Sequence, residues 1–116
     1  MLQIKRIYEQ ADPADGYRVL VDRLWPRGVS HEAAALDEWL KDIAPSPELR
    51  TWWSHDSARL EEFAQRYRAE LDDNPAVGVL RERMTEHPVV TLLYAAHDPH
   101  VNHAVVLADY LREHTG

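Results

Sequence analysis

The stretch Val89–Ala96, "VVTLLYAA", constrains this chain more than any other. Eight consecutive residues without a charge, several of them β-branched, read as a strand that is apolar on both faces. Such a strand has no side to offer water. It belongs in the middle of a sheet covered by helices on each side, the mark of a parallel α/β arrangement. The rest of the chain then has to supply edge strands and covering helices.

It does so in order. "LQIKRIY" (Leu2–Tyr8) alternates apolar and charged residues, as a strand with one wet face would, and "EQADPADG" after it is a loop by composition. "YRVLVD" (Tyr17–Asp22) is a second strand. Ser30 is an N-cap for a helix carrying Leu36, Trp39, Leu40 and Ile43 at offsets 0, 3, 4 and 7, stopped at Pro45. Ser46, Pro47 and Glu48 open a short helix that reaches Trp52 and Trp53. Asp56 or Ser57 caps a longer one with Leu60, Phe63, Tyr67 and Leu71 on one stripe, ending before Asn74–Pro75. Val77, Leu80 and Met84 mark another, closed by His87–Pro88. Asp98 and Pro99 start the last helix, whose buried stripe is His103, Val106, Leu107, Tyr110 and Leu111. The expectation is one α/β domain over residues 1–116, order β-β-α-α-α-α-β-α, with a small, mostly parallel sheet flanked by helices on both faces. Two arrangements of the first two strands stay open, a long-looped hairpin and a parallel placement.

Composition excludes several function classes. There is no cysteine, hence no disulfide, no thiolate nucleophile and no cysteine metal site. No apolar run approaches the roughly 20 residues that cross a bilayer, and the first residues read as a strand rather than a leader. A cytoplasmic protein without membrane contact is expected. The net charge of −7 argues against sequence-independent binding to nucleic acid. No glycine-rich nucleotide loop occurs among the four glycines, and no cofactor is expected. Eleven arginines stand against two lysines, Lys5 and Lys41, a bias that suits either base composition or anion recognition.

In an open α/β sheet, ligands bind beyond the carboxyl ends of the strands. Two polar clusters fall there. After the second strand come Asp22, Arg23, Trp25, Arg27 and Gly28, and after the third come His97, Asp98, His100, Asn102 and His103. If these strands are parallel neighbours, both loops open on one rim. Arg23 and Arg27 could clamp a phosphate or carboxylate, or brace the loop through Asp22. Trp25 is a candidate for stacking on a planar ligand, although tryptophan in a small domain also serves as core. Gly28 after Pro26 suits a turn. His103 would face the strand ends as a general acid or base, or sit as a core histidine bonded to a backbone carbonyl. The spacing of His97, His100 and His103 makes a weak zinc motif, and no metal is assigned. "SHDS" at Ser54–Ser57 is not a triad, because adjacency in the chain is not convergence in space, and His55 receives no role.

These motifs together carry a resemblance. "IKRIYE", "DGYRVLVDRLWPRGVS", "LDEWLKDIAPSPELRTWW", "FAQRYRAEL" and "VTLLYAAHDPHVNHAVVLADYL" resemble, in order and from Ile4 to Leu111, the YeaO-like family, domain of unknown function number 488. The resemblance implies a bacterial or archaeal α/β protein without an assigned biochemistry. It also implies characteristic polar positions at Arg6, Asp15, Arg18, Asp22, Arg23, Arg27, Lys41, Ser46, Arg50, Tyr67, Asn102 and His103. Longer relatives carry a cysteine near the last strand and helix that this chain lacks, so thiol chemistry does not transfer.

Three readings follow. In the first, Arg23, Arg27, Arg50, Asn102 and Trp25 hold a small anionic ligand while His103 and Asp22 handle a proton. In the second, a non-enzymatic module docks a protein or nucleic-acid partner through its Arg and Trp surface. In the third, Asp22, Arg23, Arg27 and Asn102 are a buried network that fixes the fold. Composition leaves the oligomeric state open.

Overall fold

The apolar run folds as a strand, Val90–Tyr94, with all five residues buried. The protein is described here by a computed structural model over residues 1–113. In chain order its elements are β1 (Leu2–Arg6), β2 (Tyr17–Leu20), α1 (His31–Ala34), β3 (Glu38–Trp39), α2 (Pro47–Trp53), α3 (Leu60–Asp72), α4 (Ala76–Glu86), β4 (Val90–Tyr94) and α5 (His103–Glu113). Short 3₁₀ turns lie at Pro13–Asp15, Lys41–Ile43 and Ser57–Arg59.

The sheet runs β1-β4-β2-β3 and every pairing is parallel. Leu2 to Arg6 pair with Val90 to Tyr94 on one side of β4, and Tyr17 to Leu20 pair with Val90 to Leu93 on the other. So β1 and β2 are parallel but not neighbours. β4 lies between them, where a strand without a polar face has to be.

The two faces of the sheet carry unequal loads. Val19, Val90, Leu92 and Tyr94 join the main core, which α2 to α5 supply with Leu49, Trp53, Phe63, Tyr67, Leu80, Leu107 and Leu111. Trp53 stacks on Phe63 at 3.8 Å and Phe63 packs against Tyr67 at 5.6 Å, giving this layer its aromatic centre. Leu20 and Leu93 point the other way, onto a second cluster with Ile7, Ala34, Trp25, Leu36 and Trp39. That face is covered by the one-turn α1 and the segments flanking it.

Two local expectations are corrected. Ser30 does cap a helix, its hydroxyl accepting the Ala33 N–H at 3.0 Å, but the helix ends within one turn at Ala35, whose φ is +46°. The following residues extend β2 instead. Arg18 and Asp37 exchange two hydrogen bonds, the Arg18 N–H donating to the Asp37 carboxylate at 2.8 Å and the Asp37 N–H to the Arg18 carbonyl at 2.9 Å. Leu40 N–H then reaches the Leu20 carbonyl at 2.9 Å. The helical spacing of Leu36, Trp39, Leu40 and Ile43 did not mark one face. Leu36 and Trp39 join the second cluster, whereas Leu40 and Ile43 join the main core. An open sheet edge outweighed the local period.

The last helix starts later than expected. Asp98 Oδ1 accepts the N–H groups of His100 and Val101, closing a turn of its own. Asn102 Oδ1 accepts the Val105 N–H at 3.0 Å, and α5 begins at His103.

At the amino ends of the strands Asp15 and Arg18 are buried as an ion pair, with Lys5 completing it at 3.1 Å and the Thr91 hydroxyl donating to the Asp15 carbonyl at 2.6 Å. Burial alone would raise the Asp15 carboxyl, but the Asp12 N–H, Lys5 and Arg18 outweigh it and hold the group below its ordinary value. Arg18 also donates to the Ala34 and Ala35 carbonyls at the end of α1. These two polar positions therefore brace the fold at the end of the sheet away from the strand carboxyl ends.

Candidate functional site

A cleft of about 350 Å³ opens where the loops after β2 and β4 meet α2. It is lined by Asp22, Arg23, Trp25 and Arg27 from the first loop, Ala95 and Ala96 from the second, His103 from α5, Arg50 and Trp53 from α2, and His55 beyond it. Parallel pairing of β2 with β4 puts both loops on one rim.

The inner wall is the pair Asp22–His103. Asp22 follows β2 by two residues, and its Oδ2 accepts the Ala95 N–H at 3.0 Å, tying the end of one strand to the end of its neighbour. His103 Nε2 lies 2.9 Å from the Val21 carbonyl and 3.3 Å from Asp22 Oδ1. A carbonyl only accepts, so Nε2 carries the proton and points it at Val21. Asp22 Oδ1 is consequently buried beside His103 but has no hydrogen-bond donor of its own among the described residues. In a neutral ring Nδ1 is then the acceptor. Burial pushes the Asp22 carboxyl up, against the opposing effects of His103, the Ala95 N–H, Arg50 and His55. Burial pushes His103 down, against the attraction of Asp22 and of the Val21 carbonyl. Both directions favour neutral groups, and His103 is an uncharged imidazole at neutral pH.

Around this pair stand three guanidinium groups. Arg23 donates to the Ala44 and Pro45 carbonyls at 3.2 and 3.4 Å, while its Nε is buried without a hydrogen-bond partner among the described residues. Arg27 and Arg50 are exposed. Among the described residues no carboxylate lies within salt-bridge distance of any of the three. Of the other eight arginines, Arg18, Arg59, Arg66, Arg68, Arg83 and Arg112 have acidic partners, whereas Arg6 and Arg81 have none within salt-bridge distance among the described residues.

The segments that carry these groups are fixed locally. Ser46 caps α2 by accepting the Leu49 N–H at 3.2 Å, and Glu70 of α3 clamps Ser46 through its N–H and hydroxyl. Tyr67, fully buried, donates to the Ile43 carbonyl at 2.6 Å and so positions the Ala44–Pro45 carbonyls that hold Arg23. Burial raises the Tyr67 hydroxyl well above its ordinary value, so it remains a donor. Gly28 takes φ +76°, the left-handed conformation that lets the loop turn after Pro26. His55 and the preceding Ser54 both have positive φ, 56° and 49°, and His55 stacks on Trp53 at 4.7 Å. Two consecutive left-handed non-glycine residues are uncommon. Here they turn the chain so that His55 sits at the cleft.

Over residues 1–116 the chain matches the family described as the inactive DUF488-N3 subclade. The chain belongs to it. The YeaO-like resemblance read from the motifs is thereby confirmed, with 45% identity over 111 residues to the uncharacterized protein YeaO of Escherichia coli, covering 96% of each chain. Uncharacterized proteins of Mycobacterium tuberculosis and Mycobacterium bovis are 46% identical over 110 residues, covering 95% of this chain and 92% of theirs. No solved structure matches.

Within this member of the subclade, the structure gathers Asp22, Arg23, Trp25, Arg27, Arg50 and His103 around one cleft and leaves Asn102 out of its lining. Asn102 is fully buried, donating to the Asp98 carbonyl at 2.9 Å while it caps α5. Trp25 is half-occupied by structure: its indole N–H donates to the Val29 carbonyl at 2.7 Å, and its ring stacks on His31 at 4.1 Å and meets Trp39 edge-on at 5.4 Å. Among the described residues no three His, Asp or Glu side chains gather as metal ligands, so the His97/His100/His103 spacing does not converge. Among them, too, no helix is long and apolar enough to cross a membrane. His55, Tyr8 and Leu24 are among the lining residues that received no site role from the sequence. Tyr8 had a signal, since it follows a strand whose carboxyl end shares the rim once β1 is placed parallel.

Proposed function

We propose that this protein binds a small anion in the cleft beyond the carboxyl ends of β2 and β4, and that it recognises its ligand without turning it over. The observation that carries this reading is the trio Arg23, Arg27 and Arg50. Each is without a carboxylate partner among the described residues, and all three line one cleft of a chain whose net charge is −7. Guanidinium groups offer planar, bidentate donors to phosphate or carboxylate oxygens and stay charged at every physiological pH. In an acidic protein, three guanidinium groups on one cleft concentrate cationic charge where an anion can meet it.

Recognition without turnover rests on two facts. The subclade is described as inactive, and the chain has no cysteine with which to form a covalent intermediate. The Asp22–His103 pair in this reading fixes the wall of the cleft, with His103 Nδ1 available as an acceptor for a ligand hydroxyl. Arg23 orients the ligand from its anchored position, and Arg27 and Arg50 close on it from the exposed side.

A thermal-shift series with inorganic phosphate, sulfate and citrate tests the reading. At ten times the dissociation constant, ligand binding stabilises the folded state by about 1.4 kcal/mol, a rise of about 6 °C for a domain of this size. The double variant Arg27→Ala/Arg50→Ala is expected to melt near the wild-type temperature without ligand, because both side chains are exposed, and to lose most of the shift. Equal shifts in wild type and variant, or none with any anion, would refute it.

A further inference from the structure

Among the described residues the exposed large hydrophobic side chains are Met1, Tyr8 and Leu24. Tyr8 and Leu24 both line the arginine cleft, at 46% and 64% exposure. Single exposed apolar residues are ordinary, but two on the rim of one polar cleft mark a surface for an apolar group. Tyr8 is also held in place. Its hydroxyl donates to the Arg27 carbonyl at 2.9 Å, and the Arg6 guanidinium lies over its ring at 5.0 Å. Arg6 is in turn tethered through Nε to the Ala96 carbonyl at 2.8 Å. An aromatic ring fixed at its hydroxyl and covered on one face by a cation is a prepared platform.

We propose that the occupant of this cleft is a phosphomonoester carried on a planar ring, with the phosphate on Arg23, Arg27 and Arg50 and the ring against Tyr8 and Leu24. This rests on the anion reading above and adds the second half of the ligand. Three terminal oxygens suit three guanidinium groups better than the two of a carboxylate, since each fork can take a pair of acceptors. The volume of about 350 Å³ lies at the lower end of small-molecule sites, roughly 300–1,000 Å³. It accommodates one ring with its phosphate. A nucleoside 5′-monophosphate has this composition, and so does a simple aryl phosphate.

The experiment is a calorimetric titration of the full chain with adenosine 5′-monophosphate, ribose 5-phosphate, phenyl phosphate, adenosine and inorganic phosphate. The first two differ only in the base. Ring stacking on an aromatic side chain makes the nucleotide bind roughly 5- to 150-fold tighter than ribose 5-phosphate. Tyr8→Leu is expected to abolish that gap, so that the nucleotide and ribose 5-phosphate bind this variant alike, whatever the lost bond to Arg27 does to both. Tyr8→Phe keeps the ring, loses only the bond to Arg27, and keeps most of the gap. Tyr8 is exposed, so the variants fold, and unchanged melting temperatures without ligand confirm it. Phenyl phosphate binding as tightly as the nucleotide identifies the shared chemistry as sufficient, and weaker binding singles out the nucleotide; either supports the proposal. Equal affinity for the nucleotide and ribose 5-phosphate, or a gap that survives Tyr8→Leu, overturns it while the anion reading stands. Adenosine binding as tightly as its monophosphate overturns the phosphate half. Binding of none of the phosphates overturns both readings.

Discussion

Replacing His103 by glutamine tests the protonation assigned to the wall of the cleft. The side chain is 12% exposed and its Nε2–H donates to the Val21 carbonyl at 2.9 Å. Burial holds its pKa below the ordinary 6.5, despite Asp22 at 3.3 Å. The sign follows from linkage. Below 6.5 the unfolded chain takes up a proton at this residue while the folded protein resists it, so stability from His103 is fully present above 6.5. It is lost as the pH falls from there toward the folded value. The limiting slope for one proton is about 1.4 kcal/mol per pH unit. Asp22 works in the opposite sense: burial raises its carboxyl, so its contribution is present below about 3.8 and is lost as the pH rises through the folded value. Glutamine can donate to Val21 but not titrate, and it gives up the edge contact of the imidazole with Tyr67 at 6.2 Å. The expected cost at pH 8 is about 1–2 kcal/mol. Urea unfolding followed by tryptophan fluorescence from pH 8 to pH 5.5 gives the difference in stability between wild type and His103→Gln. That difference should shrink below pH 6.5. A difference that stays constant would refute the reasoning, and one that grows on acidification would show His103 held protonated by Asp22 as an ion pair.

Three further outcomes are expected. Asp15→Ala leaves the buried Arg18 guanidinium without its carboxylate and should cost about 3–5 kcal/mol in urea unfolding, against near neutrality if the pair is dispensable. Gly16→Ala places a Cβ 2.3 Å from the Val89 carbonyl oxygen at φ +64°, and should cost about 3 kcal/mol or more; a variant melting like wild type would contradict the close approach. Tyr67→Phe removes the donor to the Ile43 carbonyl, with an expected loss of about 1–2 kcal/mol. The same variant should weaken phosphate binding by loosening the Ala44–Pro45 carbonyls that hold Arg23, and unchanged binding would separate Tyr67 from the cleft.

Strands β1, β2 and β4 were legible because each carries its own pattern, alternating at the edge and apolar throughout at the centre. Helices α2, α3 and α4 were legible through caps, prolines and stripes. β3 was not, because two residues hold no period, and what makes them a strand is the open edge of β2, a tertiary fact. The boundary of α5 failed for a related reason: Asp98 and Asn102 are both competent caps, and only the turn closed by Asp98 shows which one the helix uses. In the cleft, Asp22, Arg23, Arg27 and His103 could be grouped from strand ends alone. His55 could not, since its place depends on two left-handed residues in succession at the end of α2.

The polar groups of the rim divide by what their remaining atoms can do. Asn102 has a committed oxygen and a committed amide nitrogen, and Arg18 is committed to Asp15, Ala34 and Ala35, so each is explained by the fold. Asp22 and His103 each give one atom to a strand-end backbone group, so the fold accounts for one of the two polar atoms of each. Folding alone does not account for Arg27 and Arg50. Both are exposed and have no carboxylate partner among the described residues, so truncating them costs the fold little. In the reading proposed above, what they are retained for is the anion, and the double variant separates that role from the fold, since it should lose the ligand shift and keep the unliganded melting temperature.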